Sequence, residues 1–387
     1  MKNILTLNPI SDRIYDHLPK EEYSVSSEAV NPEGILVRSA DMHSFDLPQS
    51  VLAVARAGAG TNNIPCADYA AKGVAVFNTP GANANGVADL VLEAMLLSSR
   101  NLLAATAWVS TIKGNGAEVP KMVEKGKKAF VGGEIKGKKL GVIGLGAIGG
   151  IVANDAYNLG MEVLGFDTHL SVDAAWRLSR KIQKATGKEQ IFAECDYITV
   201  HVPLLDETRG MINAQSIATM KDGVTIMNFA RGELVNTADI IAALESGKVA
   251  RYITDFPCDE LIGVKNAILI PHLGASTPES EDNCAEMAAK ELNEYIRYGN
   301  IRNSVNMPAC ELPYTGRPRI CIVHKNVANM IGRMTEIIAA DNINISDMIN
   351  KSRGDIAYTI IDLDSPADDK LLADLNAITD IIRIRVL

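Results

Sequence analysis

Residues 140–167, LGVIGLGAIGGIVANDAYNLGMEVLGFD, constrain the fold more than any other part of the chain. Leu140-Gly141-Val142-Ile143 is a short apolar run ending at Gly144-Leu145-Gly146-Ala147-Ile148-Gly149, and beyond it Ile151, Val152, Ala156 and Leu159 recur at helical spacing up to Gly160. This is strand, tight turn, helix. A second apolar run, 161–166, ends at Asp167, about 20 residues past the glycines. Gly144 allows the turn, Gly146 lets backbone approach a pyrophosphate, and Gly149 lets the helix lie against the strand. The N–H groups at Ala147 and Ile148 and the helix dipole would face the phosphates. Alone such a motif is weak, but between a strand and a helix, with an acid closing the next strand, it predicts a dinucleotide site. Asp167 would accept ribose hydroxyls and repel a 2′-phosphate, and Thr168-His169-Leu170 holds no arginine, so the cofactor expected is NAD.

A chain of 387 residues suggests two or three domains. A net charge of −9 argues against nucleic acid and against an anionic membrane as partners, although a few arginines suffice for a small anionic substrate. The six cysteines form no C-x-x-C pair, so no metal site is expected and reduced thiols in the cytoplasm are the default. The apolar run at the N-terminus is too short for a signal peptide, and no stretch reaches the ~20 apolar residues of a membrane helix.

Residues 1–85 alternate strands (2–7, 34–38, 51–56, 74–78) with helices (11–18, 66–72), a β/α pattern. Two loops follow strand ends, Arg38-Ser39-Ala40 and residues 56–63, and in parallel sheets that is where ligands bind. Arg38 and Arg56 are therefore candidate anion partners, with surface ion pairing as the alternative. Residues 87–99 predict a long apolar helix, 113–134 an exposed Lys- and Gly-rich connector, and 172–185 a further helix. Strand 195–203 ends in His201-Val202-Pro203, and strands 224–229 and 250–254 follow. The strand ends should bring His201, Arg231, Asp255 and residues 271–277 to one edge.

With HVPL, NFARGELV and PHLGAST following the glycine motif in this order, the chain resembles the D-isomer-specific 2-hydroxyacid dehydrogenases up to about residue 308, most of all those acting on a phosphorylated acid. The resemblance implies two Rossmann-like doubly wound parallel-sheet domains: a discontinuous substrate domain (1–85 and 275–311) and an NAD domain (86–274). It implies NAD-dependent oxidation of 3-phospho-D-glycerate at the entry to serine synthesis. Alternatives are a reductase of glyoxylate, hydroxypyruvate or 2-oxoglutarate, and an NAD-responsive scaffold. By the same resemblance His272 is the base, Glu260 its partner and Arg231 the carboxylate ligand. The cofactor set adds His201, Val202, Pro203, Thr208, Ala230, Asp255 and Gly274, and the substrate set is Arg38, Ser39, Arg56, Ala57, Gly58, Gly60 and Asn62. The family commonly reads Asp-Val-Phe-x-x-Glu-Pro, whereas here Asp255 is followed by Phe256-Pro257-Cys258-Asp259-Glu260-Leu261, which leaves Glu260 and Asp259 both open.

Residues 318–387 read as βαββαβ, a ferredoxin-like order, after a linker at 312–319. They resemble an ACT domain, and the resemblance implies L-serine as effector at His324, Asn326 and Asn344, and a homodimer or homotetramer. The Pro-Gly that usually follows the asparagine is Ala328-Asn329 here, so a dimerisation module without ligand stands as the alternative.

Overall fold

The short apolar runs become strands of three separate sheets in a computed structural model that describes residues 1–387. By its contacts the chain divides into two compact units, Met1–Asn83 with Pro278–Leu387, and Ala84–Thr277.

In the first unit, β1 (Lys2–Thr6), β2 (Tyr23–Ser26), β3 (Gly34–Val37), β4 (Ala53–Arg56) and β5 (Ala75–Phe77) form a parallel sheet of order β2-β1-β3-β4-β5. Its central strands are apolar on both faces because both are covered. The long Pro278–Tyr298 helix packs on one face with Ala285, Ala288 and Leu292, while Ile35, Val54 and Tyr69 fill the other. Two expectations change here. Residues 11–18 form only a 3-10 turn, Asp12–Asp16, capped by the Ser11 hydroxyl, which also donates to Asp282. The edge strand Tyr23–Ser26 was not foreseen, because its sequence, YSVS, has little apolar content to mark it.

The second unit holds β6 (Lys139–Ile143), β7 (Glu162–Phe166), β8 (Gln183–Lys184), β9 (Tyr197–Val200), β10 (Val224–Asn228), β11 (Val249–Thr254) and β12 (Ala267–Leu269), parallel throughout in the order β12-β11-β10-β9-β6-β7-β8. The strand order reverses at β6, which pairs with both β7 and β9. The carboxyl edge beside such a switch point is where ligands bind. The helix expected over 172–185 ends at Arg177. Asn154 stops it: its amide donates to the Arg177 carbonyl (2.9 Å) and accepts from the Ser179 N–H (2.8 Å), freeing the chain to add β8. The Ala84–Ser99 helix buries Val87, Val91 and Met95, whereas the following Leu102–Thr111 helix buries nothing. No single helix is long and apolar enough to cross a membrane.

The third sheet, β13 (Arg319–Lys325), β14 (Ile345–Arg353), β15 (Ile356–Leu363) and β16 (Ile381–Val386), is antiparallel in the order β14-β15-β13-β16 and belongs to the first unit. With the Met330–Ala340 and Asp369–Asn376 helices it completes the predicted fold class: two parallel α/β sheets and a ferredoxin-like βαββαβ sheet. Its strands alternate with period two. Ile320, Ile322, Ile361 and Leu363 face its own helices, while Cys321, Val323, Tyr358 and Ile360 join the core around the long helix.

The C-terminal carbonyls of a helix have no partner within it and carry its negative pole. Here the third sheet supplies the partners. Arg385 donates to the carbonyls of Tyr295 (3.1 Å) and Ile296 (2.9 Å), Arg319 to that of Tyr298 (2.8 Å), and the Tyr358 hydroxyl to that of Gly299 (2.7 Å). Arg319 is fully buried and takes Asp362 in a bidentate pair at 2.6 and 2.8 Å. Midway along the same helix Glu291 is buried, with one oxygen accepting from Asn303 and the other without a partner.

Removing one member of a buried pair strands the other, so Asp362→Ala is expected to lower stability in urea titration by about 3–5 kcal/mol. Burial raises the Glu291 carboxyl from 4.5 to about 7. Between those values the folded chain binds more protons than the unfolded one, so this group costs stability as pH rises through them. Glu291→Gln, which keeps the acceptor for Asn303, is expected to melt progressively higher than the parent between about pH 5 and 8.

Candidate active site

At the carboxyl end of β6 the chain turns at Gly144, whose φ of +94° favours glycine and where a Cβ would meet the His201 carbonyl at 2.7 Å. A Cβ at Gly149 would be driven into the Gly144 carbonyl oxygen, so the Ala147–Asn158 helix can begin this close to the turn only with glycine there. At Gly146, by contrast, a Cβ would meet nothing within 4 Å beyond its own chain neighbours. That opening is at the helix N-terminus, where Ala147 and Ile148 stand. Asp167 braces the turn from β7: its carboxylate accepts from the N–H of Leu145 (2.8 Å) and of His169 (2.7 Å).

Beside it, His201 follows β9. Its Nε2 meets the Thr199 hydroxyl at 2.9 Å, its Nδ1 is buried without a partner, and burial pushes its pKa down to about 4, so the ring is neutral. Val202 and Pro203 begin a loop that Thr208 ties, donating to the Pro203 carbonyl (2.7 Å) and accepting from Leu205 N–H (2.8 Å).

Two further strand ends complete the edge. Asn228, fully buried at the end of β10, accepts from the Ala230 N–H (3.2 Å) and donates to the Arg231 carbonyl (2.8 Å), and so holds the turn that presents Arg231. It lies inside the NFARGELV stretch, but a backbone-holding role leaves no signal in sequence. Asp255, just beyond β11, is 1% exposed. Burial raises its pKa, while His272, the Gly274 amide and Arg231 pull it down, which puts Asp255 near both candidate catalytic residues. A Cβ on Gly274 would press on Val87 at 3.2 Å and on Asp255 at 3.4 Å.

His272 lies exposed on its loop with its ring against Phe256, 4.9 Å between centroids. The expected pairing of Glu260 with His272 is not formed, and Asp259 does not replace it: neither makes an ion pair with the imidazole. Glu260 sits in the 3-10 turn Asp259–Leu261, where its own backbone N–H and the Cys258 thiol hold its carboxylate and lower its pKa. This edge fits a dinucleotide. It offers an open approach at Gly146, a carboxylate at Asp167, and two buried polar atoms without partners, Asp255 Oδ1 and His201 Nδ1.

In the other unit, Asn8 organises the first anion loop: its side-chain oxygen accepts from the consecutive N–H groups of Arg38, Ser39 and Ala40 at 2.9, 3.1 and 3.1 Å. Sequence reasoning missed Asn8, which stands thirty residues upstream of Arg38. Arg38 pairs with Glu281 at 2.6 Å. Arg56 donates to the carbonyls of Arg38 (2.9 Å) and Gly60 (2.5 Å), so its guanidinium ties the two loops together. A Cβ on Gly58 would meet that guanidinium at 2.7 Å, and Asn62 is exposed beyond it with Ala57 buried at the base.

Of the three candidate effector residues, His324 is buried with Nδ1 at 2.8 Å from the Lys325 carbonyl and Nε2 at 2.9 Å from the Thr359 hydroxyl. Asn326 donates to the Gly354 carbonyl (3.0 Å), and the Asn344 N–H bonds Asp364 (3.2 Å). Asn329 has φ of +64°, keeping the left-handed backbone that glycine favours.

A model of the D-isomer specific 2-hydroxyacid dehydrogenase NAD-binding domain matches residues 92–274. The D-3-phosphoglycerate dehydrogenase of Haemophilus influenzae is 32% identical over 340 residues, 85% of this chain and 79% of that protein. The human protein of that name is 33% identical over 302 residues, 76% of this chain and 54% of its own length, so the chain spans about half of that relative. Among solved structures, the NAD+-bound 3-phosphoglycerate dehydrogenase of Entamoeba histolytica matches at TM-score 0.60 and 25% identity, over 79% of this chain and 98% of that one. A glyoxylate/hydroxypyruvate reductase of Sinorhizobium meliloti, at TM-score 0.64 and 21% identity over 79% and 98%, shares the fold. The glycine turn, the edge beside it and these likenesses together show that the chain belongs to the D-isomer-specific 2-hydroxyacid dehydrogenases and is an NAD-dependent oxidoreductase.

Proposed function

We propose that this protein oxidises 3-phospho-D-glycerate to 3-phosphohydroxypyruvate, the entry to L-serine synthesis. The observation that carries the chemistry is the cluster of Arg231, Asp255 and His272, in which a buried carboxyl lies in the field of both others. The names and coverage of the curated relatives support the substrate.

NAD supplies the acceptor for the C2 hydride. Gly144, Gly146 and Gly149 with Asp167 would hold it, together with His201, Asp255 and the Pro203–Thr208 loop. His272 takes the hydroxyl proton as the alcohol becomes a ketone and returns it in reduction. Arg231 binds the carboxylate and polarises the C2 oxygen through its planar fork. Arg38 and Ser39 take the phosphate, for which Arg38 leaves Glu281, and the backbone of residues 57–60 contacts the carboxylate.

For the ferredoxin-like module, a structural role without serine is the better supported reading, since both ring nitrogens of His324 have partners within the sheet. A homodimer or homotetramer is supported by the exposed Leu96, Leu102, Leu103 and Val109 on consecutive helices. The six free cysteines suit a reducing, cytoplasmic setting.

Purified protein given NAD and 3-phospho-D-glycerate at alkaline pH, with a trap for the keto product, is expected to form NADH. His272→Ala is expected to lose turnover by about 10²–10⁴-fold while still binding NADH. Arg38→Ala is expected to raise KM for the phosphorylated substrate about 10- to 100-fold and to leave reduction of hydroxypyruvate unchanged. Equal loss on both substrates would remove the phosphate role from Arg38.

A further inference from the structure

We propose that Asn78 positions the loop of residues 57–60 so that the N–H groups of Ala59 and Gly60 face the substrate carboxylate. The inference rests on the reading of that loop as the carboxylate contact. Asn78 directly follows β5, and its side-chain amide donates to the Ala59 carbonyl at 2.6 Å. The next residue, Thr79, donates its backbone N–H to the Gly58 carbonyl at 3.1 Å. Two consecutive peptide units of the loop are thus held by their carbonyls from one short turn. A trans peptide directs its N–H opposite its carbonyl, and both units are trans. The N–H groups of Ala59 and Gly60 therefore point away from Asn78 and Thr79, and no protein acceptor takes either of them. Two such donors in succession suit an ionised carboxylate, which only accepts hydrogen bonds.

Asn78 stands on a fixed base. Residues 303–305 run beside β5: Phe77 bridges Ser304, and the Val76 carbonyl accepts from the Val305 N–H and from the Ser304 hydroxyl, each at 2.9 Å. Asn303 in turn donates its amide to buried Glu291, and Thr79 is fully buried. Arg56 holds the Gly60 carbonyl at the far end of the loop, which leaves the Ala59 carbonyl to the Asn78 amide. The carboxylate of a 2-hydroxy acid is unchanged by the reaction, so a contact to it is made alike in ground state and transition state, and its loss is read in KM rather than in kcat.

The experiment compares the parent with Asn78→Asp, which keeps the size of the side chain but sets a carboxylate against the Ala59 carbonyl, and with Asn78→Ala, which removes the donor without adding charge. Asn78→Asp is expected to raise KM for 3-phospho-D-glycerate about 10- to 100-fold and Asn78→Ala to raise it less, with kcat and NADH affinity in place. Both are expected to melt close to the parent, and Asn78→Ala carries the comparison if Asn78→Asp does not fold. Unchanged KM in both variants, or a fall in kcat and NADH affinity in step with the rise in KM, would overturn the role. Amide NMR reads the same loop without turnover. Oxalate, as a small carboxylate probe, is expected to shift the Ala59 and Gly60 amides of the parent and to leave them in place in either variant at the same concentration. If neither amide of the parent moves, the loop is not the carboxylate contact and the positioning role falls. If both move while the parent oxidises no phosphoglycerate, the proposed substrate fails and the role of Asn78 stands or falls by the amides of its variants.

Discussion

The near-contact between Gly149 and the Gly144 carbonyl is the constraint on which the Ala84–Thr277 unit depends. Only without a side chain can the Ala147–Asn158 helix start directly above the end of β6, and only then does its positive pole face the open space at Gly146. The neighbours adapt to that turn. The His201 backbone lies against Gly144, and Asp167 reaches across from β7 to hold the Leu145 N–H. The acid expected to meet a ribose is thus also the brace of the glycine turn.

The edge is shaped by buried polar side chains at strand ends rather than by the exposed candidate catalytic residues. Asn228 and Asp255 terminate adjacent strands, fully or almost fully buried. One fixes the turn that carries Arg231, and the other takes the Gly274 amide beside His272. Burial makes both costly to leave unsatisfied, which gives the edge its rigidity, and it leaves Asp255 Oδ1 free for a bound partner.

A different logic operates where the third sheet meets the long helix. Three side chains of that sheet satisfy the helix's last carbonyls, and two of them are buried arginines at its negative pole. The module is therefore a structural continuation of the first unit as well as a fold of its own. The opposite end of the same helix carries Glu281 and Asp282, which hold Arg38 and Ser11.

Much of this was legible in the sequence. The glycine spacing, Asp167, the β/α alternation and the βαββαβ tail all leave marks in one dimension, because backbone conformation and strand or helix period depend on residues close together in the chain. The helix expected over 172–185 failed because Asn154 stops it from eighteen or more residues away, and Asn8 and Asn228 were missed because an amide that holds backbone looks like any other asparagine. Glu260 is expected beside His272, and in the structure its carboxylate is held by its own turn, a contact that spacing along the chain does not record. By itself the sequence determined the β/α alternation, the glycine turn and the residue types available for chemistry. Only the tertiary structure decided which of those side chains meet, since long-range contacts are chosen by burial and by competition for hydrogen-bond partners that spacing along the chain does not record.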